Sequence, residues 1–202
     1  MGGHGAVSTK GIKTRRYFPV NRLFCQRELC YGSAPDAILM LVEEFIVSIL
    51  SPLIPAPDLS GQTDWTPFDA PALIGKSLRF VSGDPDGERF RVRYFRDPAQ
   101  QLRARIWFGP ETEGPPGNAH GGAIAAVLDE VLGLAAWAAG YPIVVGNLNV
   151  SFRSLLPLQE VVTVETDIVS AAGRKIMVHG RICRGATVYA EGECLCITLP
   201  GS

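Results

Sequence analysis

The sequence predicts an α+β fold in which a curved antiparallel sheet wraps one long, apolar helix. Three observations predict it. Roughly Ala119–Ala139 is rich in alanine and almost free of charge. Several segments around it alternate apolar and polar residues at the period of a strand. A helix this apolar cannot lie on an open surface, and a curved sheet is the economical cover.

The elements follow in chain order. Residues 1–32 form a basic tail, whose first 30 residues hold Lys10, Lys13, Arg15, Arg16, Arg22 and Arg27 against one acid, Glu28. This tail reads as a flexible end or misassigned start, or as an organelle-targeting segment, and is too polar for a secretory signal. Residues 33–72 read as a helix followed by a proline-rich linker. Apolar residues recur through Ser33–Ile49 at Ile38, Leu41, Val42, Phe45, Ile46 and Ile49, and Pro52, Pro55 and Pro57 end the run. Residues 73–200 form the main domain. Its expected strands are Lys76–Ser82, Glu88–Phe95, Leu102–Phe108, Ile143–Phe152, Val161–Ser170, Lys175–Cys183 and Val188–Thr198. Turns are expected at Asp84–Gly87, Leu156–Gln159, Ala172–Arg174 and Arg184–Gly185.

Composition narrows the function. The 202 residues are 47% hydrophobic and 19% charged, with a net charge of −1, so no global field favours nucleic acid or a membrane surface. Five cysteines, Cys25, Cys30, Cys183, Cys194 and Cys196, are odd in number and include no CxxC pair. Cys194 and Cys196 alternate within an expected strand and so share one face, and the five cysteines predict no disulfide or metal framework and a reducing compartment. The cytoplasm is the expected location, or the mitochondrion if the basic tail is a targeting segment. Asp129 and Glu130 interrupt the longest apolar run, so no membrane span is expected.

The chemistry concentrates in Gly117-Asn118-Ala119-His120-Gly121-Gly122-Ala123-Ile124, ending at Leu128-Asp129-Glu130. Gly121 and Gly122 fall where a loop becomes a helix. Unpaired N–H groups and a partial positive charge gather there and suit an oxyanion. Asp129 has Gly122, Ala125, Ala126, Leu132, Gly133 and Ala136 as helical neighbours. Five of these six are Gly or Ala, so another backbone can approach and desolvate the carboxylate. Asp129 is then a base, a nucleophile, or an interface carboxylate held by N–H groups, with Glu130 as its competitor. His120 and Asp129 lie nine residues apart, roughly 13.5 Å along the axis and half a turn out of phase. One helix cannot bring Gly121 N–H and Asp129 to one carbon, so a shared site needs two copies of the chain.

This motif, with Gly146-Asn147-Leu148-Asn149-Val150-Ser151-Phe152, Pro157-Leu158 and Gly173-Arg174-Lys175, resembles the hotdog acyl-CoA thioesterases of the PaaI-like group. Within that group the likeness is greatest to thioesterase superfamily members 4 and 5. It covers about Gly75–Leu199. The resemblance implies a hotdog fold paired across a two-fold axis, as a homodimer or a dimer of dimers, with sites at the interface. It implies that Gly121 N–H polarises a thioester carbonyl, that Asp129 of the partner subunit activates water or attacks directly, and that His120 shapes the loop or binds near the carbonyl. Asn118, Gly122, Asn147 and Asn149 carry over as substrate-binding positions. Arg153, Arg174 and Lys175 carry over as contacts to the nucleotide and phosphates of coenzyme A, or as solvated turn residues. His179 reads as structural. The implied substrate is an acyl-CoA, coenzyme A being part of it, with no metal and no redox cofactor.

One position departs from the pattern. Many family members hold Ser or Thr four residues before the second Asn, where the hydroxyl positions water; here Val145 stands there. Asn147 or a backbone carbonyl then substitutes, hydrolysis is slow, Asp129 attacks directly, or the chain only binds acyl-CoA. Two other readings therefore stand beside hydrolysis. One is a non-catalytic acyl-CoA-binding or interaction protein. The other is dehydration or double-bond chemistry on a thioester, which His120 ahead of the glycine pair disfavours.

Overall fold

The computed structural model describes residues 56–70 and 79–200. The expected tail and the helix over 33–49 lie outside them. Pro55–Ser202 forms one compact unit. Its elements are β1 (Thr66–Pro67), β2 (Phe90–Arg96), β3 (Leu102–Phe108), a 3-10 turn (Pro110–Thr112), α1 (Gly121–Ala138), β4 (Ile143–Phe152), β5 (Val161–Ala172), β6 (Lys175–Arg184) and β7 (Thr187–Thr198). The strands form one antiparallel sheet in the order β1-β2-β3-β5-β6-β7-β4.

The helix packs against β3, β4, β5, β6 and β7. Five flat strands would span about 19 Å, beyond the reach of a helix about 10–12 Å across. Contact with all five requires the sheet to curve around α1, which is the expected hotdog arrangement. Ile124, Val127, Leu128, Val131, Leu132 and Leu134 of α1 are all buried. They meet the alternate inward residues of the strands, such as Ala104, Ile106 and Phe108 on β3 and Val162 and Val164 on β5. α1 is apolar and long enough to cross a membrane by composition, because Asp129 and Glu130 are its only charges. Half of that span is buried within the domain.

Two glycines seat the helix. Gly180 on β6 lies directly opposite Gly192 on β7. A Cβ at Gly180 would fall 2.4 Å from Leu132 Cδ2 and 2.8 Å from the Glu165 carbonyl oxygen, and one at Gly192 would fall 3.1 Å from Leu132 Cδ1. The paired glycines make a dent that Leu132 fills.

Several elements differ from expectation. Residues 79–82 form a turn, not the end of a Lys76–Ser82 strand, and residues 76–78 lie outside the described residues. The Val81 and Ser82 N–H groups donate to the Glu130 carboxylate at 2.8 and 3.0 Å, which takes the place of a strand partner. The proline-rich linker contributes β1, paired to β2 through Thr66↔Arg96 and Pro67↔Phe95. Proline is tolerated there because the strand lies at a sheet edge. The helix starts at Gly121, not Ala119, because Ala119 N–H donates to the Leu156 carbonyl at 2.8 Å. β5 runs two residues further, to Ala172, because Gly173 adopts φ +57° and the hairpin closes at Ala172↔Lys175. Likewise Arg184 pairs with Thr187, so the last turn is Gly185-Ala186, with Gly185 at φ +56°.

Gly180→Ala is expected to destabilise the domain by about 1–3 kcal/mol through overpacking, and Leu132→Ala by about 2–5 kcal/mol. The double variant should cost less than the sum, because removing Leu132 empties the space the new methyl needs. Urea unfolding of the three variants checks this.

Candidate active site

The loop before α1 is tied down on every side. Gly117 N–H donates to Glu113 Oε1, and Asn118 N–H to the Pro115 carbonyl, both at 2.8 Å. Ala119 N–H donates to the Leu156 carbonyl, and His120 N–H to the Thr112 carbonyl at 2.7 Å. His120 is the N-cap residue, and its Nδ1 accepts from Gly122 N–H at 2.9 Å. Ala123 and Ile124 N–H both donate to the His120 carbonyl. From Gly117 to Ile124, Gly121 N–H is the one backbone donor with no partner among the described residues. It sits at the positive end of an 18-residue helix. Acceptance at Nδ1 is the pattern of the tautomer that carries its proton on Nε2.

Gly121 also faces a ring. A Cβ there would lie 3.3 Å from Phe152 at the end of β4. The helix N-terminus and the C-terminal end of β4 therefore share one end of the sheet, and Arg153 follows directly. Its guanidinium pairs with Glu191 at 2.6 Å. Asn118 is spent locally, with Nδ2 donating to the Pro116 carbonyl at 2.9 Å.

The two carboxylates of α1 differ sharply. Glu130 accepts from Val81 N–H, Ser82 N–H and, at 3.0 Å, Tyr94 Oη–H. It is a structural anchor rather than a rival to Asp129. The sequence hides this role, since no local pattern links Glu130 to those donors. Asp129 has no hydrogen-bond or ion-pair partner among the described residues and is exposed in the single chain. Burial first, and then the negative charge of Glu130, hold its carboxyl above the usual aspartate range.

The small-residue stripe is half covered. Gly133 and Ala136 are buried, and a Cβ at Gly133 would meet Val145 at 3.5 Å and Ile143 at 3.9 Å. Gly122, Ala125, Ala126 and Asp129 are at least partly open. Val145 thus packs beside Gly133, one helical turn along α1 from Asp129. Cys194 and Cys196 share the inner face of β7 as expected, fully buried with sulfurs 3.4 Å apart. The bond to Cys196, and then burial, hold the Cys194 thiol up.

The remaining positions lie elsewhere. Leu148 and Val150 of β4 pack on the core, so strand alternation puts Asn147 and Asn149 on the outer face of the sheet. Arg174 and Lys175 occupy the β5–β6 turn. Lys175 pairs with Ile197, which pairs with Val144, at the start of β4. At about 3.3 Å per residue, β4 puts roughly 30 Å between that end and Phe152. Arg174 donates to the Thr198 carbonyl at 3.1 Å, and the Lys175 side chain has no hydrogen-bond or ion-pair partner among the described residues. His179 is half-buried in mid-β6, opposite Asp167 and Glu193. No cluster of His, Cys, Asp or Glu that could hold a metal occurs among the described residues.

Because the Asp129 pKa is raised on folding, its protonated form is the better folded. That contribution is complete below the unfolded pKa and is lost as pH rises through the folded value. Asp129→Asn should therefore raise the thermal midpoint at neutral pH, with the gain vanishing below about pH 4. A midpoint that falls at neutral pH would contradict the desolvation of Asp129.

The family profile of the thioesterase superfamily matches residues 116–191. The acyl-coenzyme A thioesterase THEM5 of Homo sapiens is 31% identical over 113 residues, covering 54% of this chain and 45% of that protein. The acyl-coenzyme A thioesterase THEM4 of Mus musculus is 30% identical over 135 residues, covering 65% and 58%. The chain spans about half the length of the curated relatives it matches. A crystallised thioesterase superfamily protein aligns with a TM-score of 0.56 and 26% identity, over 82% of this chain and 81% of that one. Residues 116–191 match the thioesterase superfamily by sequence, and the chain shares the hotdog fold of a solved thioesterase superfamily protein.

Proposed function

We propose that the protein hydrolyses an acyl-CoA thioester to the free acid and coenzyme A, at sites shared between two copies of the chain. The observation that carries this reading is the unpaired Gly121 N–H at the positive end of α1, in a loop where every neighbouring donor is bound. The names of the relatives THEM4 and THEM5 support the choice of acyl-CoA.

In this reading the thioester carbonyl oxygen rests on Gly121 N–H, with His120 Nε2–H beside it. Asp129 of the partner subunit takes a proton from water, or attacks the carbonyl carbon itself. The oxyanion that forms is held by the N–H and the helix dipole. Its collapse breaks the C–S bond, and coenzyme A leaves as a thiolate that takes the proton Asp129 removed from water. On the direct route the thiolate takes its proton from solvent, and water then hydrolyses the mixed anhydride on Asp129 to release the free acid. Coenzyme A enters and leaves as part of the substrate, and the chemistry uses no metal or redox cofactor.

A two-fold axis explains why the expected residues are scattered. β4 is a ten-residue edge strand whose outer side has no partner among the described residues. Such an edge is a template for pairing with another chain. Antiparallel pairing of two β4 strands sets the Phe152 end of one beside the Ile143 end of the other. The helix N-terminus of one copy then approaches Asp129, Arg174 and Lys175 of the partner subunit, which a single chain keeps apart. The open half of the small-residue stripe receives the partner backbone. Asn147 and Asn149 lie on this strand, on the outer face of the sheet.

Two variants separate the roles. Asp129→Asn should abolish turnover while the assembly persists. Gly121→Pro removes the N–H at a position where proline suits a helix, and His120 already has the extended φ −65°, ψ 139° that a following proline requires. It should lower kcat by about 10²–10³-fold. A thiol-release assay reads both, and full activity in Asp129→Asn would remove Asp129 from the chemistry.

A further inference from the structure

The turn held by Glu130 forms one wall of a cleft of about 250 Å³ on the flank of the α1 N-terminus. Phe80, Phe90 and Ala123 give it apolar walls, and His120 and Gly122 also line it. Phe80 is 72% exposed, although the next two N–H groups are fixed on Glu130 and Arg79 bonds the Ala70 carbonyl at 2.8 Å. It is an aromatic ring left exposed at the cleft rather than folded into the core.

We propose that this cleft receives the acyl group of the thioester, and that Phe80 sets the chain length it accepts. This rests on the thioester reading above. His120 and Gly122 flank Gly121, so a group seated in the cleft leaves its carbonyl beside the free N–H. The charges favour the acyl end of the substrate over its phosphates. Arg89 stands against Glu111 and Glu113, and its guanidinium is already paired with Glu111 at 3.5 Å. The net negative rim repels a diphosphate. The volume falls below the roughly 300–1,000 Å³ of sites for drug-sized ligands, so the cleft suits a short chain with Phe80 as its stop.

The test compares wild type, Phe80→Ala and Phe80→Trp on straight-chain acyl-CoA thioesters from butyryl to palmitoyl, scored by thiol release. Because Phe80 is exposed, neither substitution opens the core. The ratio of kcat/KM for dodecanoyl- over butyryl-CoA should rise at least about tenfold in Phe80→Ala and fall in Phe80→Trp. An unchanged ratio in all three overturns the role of Phe80 and leaves hydrolysis standing. If the wild type releases no thiol from any member, the hydrolase reading fails. Binding of unhydrolysable acyl-thioether analogues to the same three proteins then decides the cleft, and a length preference that ignores residue 80 overturns it.

Discussion

The seating of Leu132 over Gly180 and Gly192 fixes the rotation of α1, and that rotation sorts the helix's two carboxylates. With Leu128 and Leu132 pointed at β6 and β7, a step of about 100° per residue sends Glu130 toward β2 and Asp129 toward the open flank near β4. Tyr94 and the 79–82 turn meet Glu130 on the first side. No hydrogen-bond or ion-pair partner among the described residues meets Asp129 on the second. A side chain at either glycine would displace the helix and blur this division.

The same rotation organises the charge. Glu130 spends its oxygens on three donors and keeps its negative charge beside Asp129, where burial and that charge together raise the pKa. At the helix start, His120 takes the second N–H of α1 and leaves the first one free. Satisfying the rest of the loop so completely makes the free Gly121 donor a feature of the fold rather than a frayed end.

Where alternation was strict, the sequence was read residue for residue. Leu102–Phe108 matches its strand because it carries apolar residues at period two on the face that meets α1, and Ile143–Phe152 matches in its bounds although a bulge between Val145 and Asn147 interrupts its alternation. The Gly121–Gly122 helix start and the shared face of Cys194 and Cys196 were legible for the same reason: both are local. What escaped was set by distant partners. The 79–82 turn is defined by a carboxylate 48–49 residues away and Tyr94 by the same group 36 residues away, and no window of sequence reports such pairs. β1 was hidden because Pro67 signals a linker, although an edge strand tolerates it. Phe80 carried no signal, since its importance lies in the cleft that folding makes around it.

The central claim is that the donor and the carboxylate of one site come from different copies of the chain. Subunit complementation tests it directly. Gly121→Pro and Asp129→Asn chains, each inactive alone, are co-expressed and allowed to assemble at random. Half of the dimers are then mixed, and each mixed dimer holds one site with both groups intact. Thiol release should recover to about one quarter of the wild-type rate per chain. No recovery in verified mixed dimers would contradict the shared site and return Gly121 and Asp129 to a single chain.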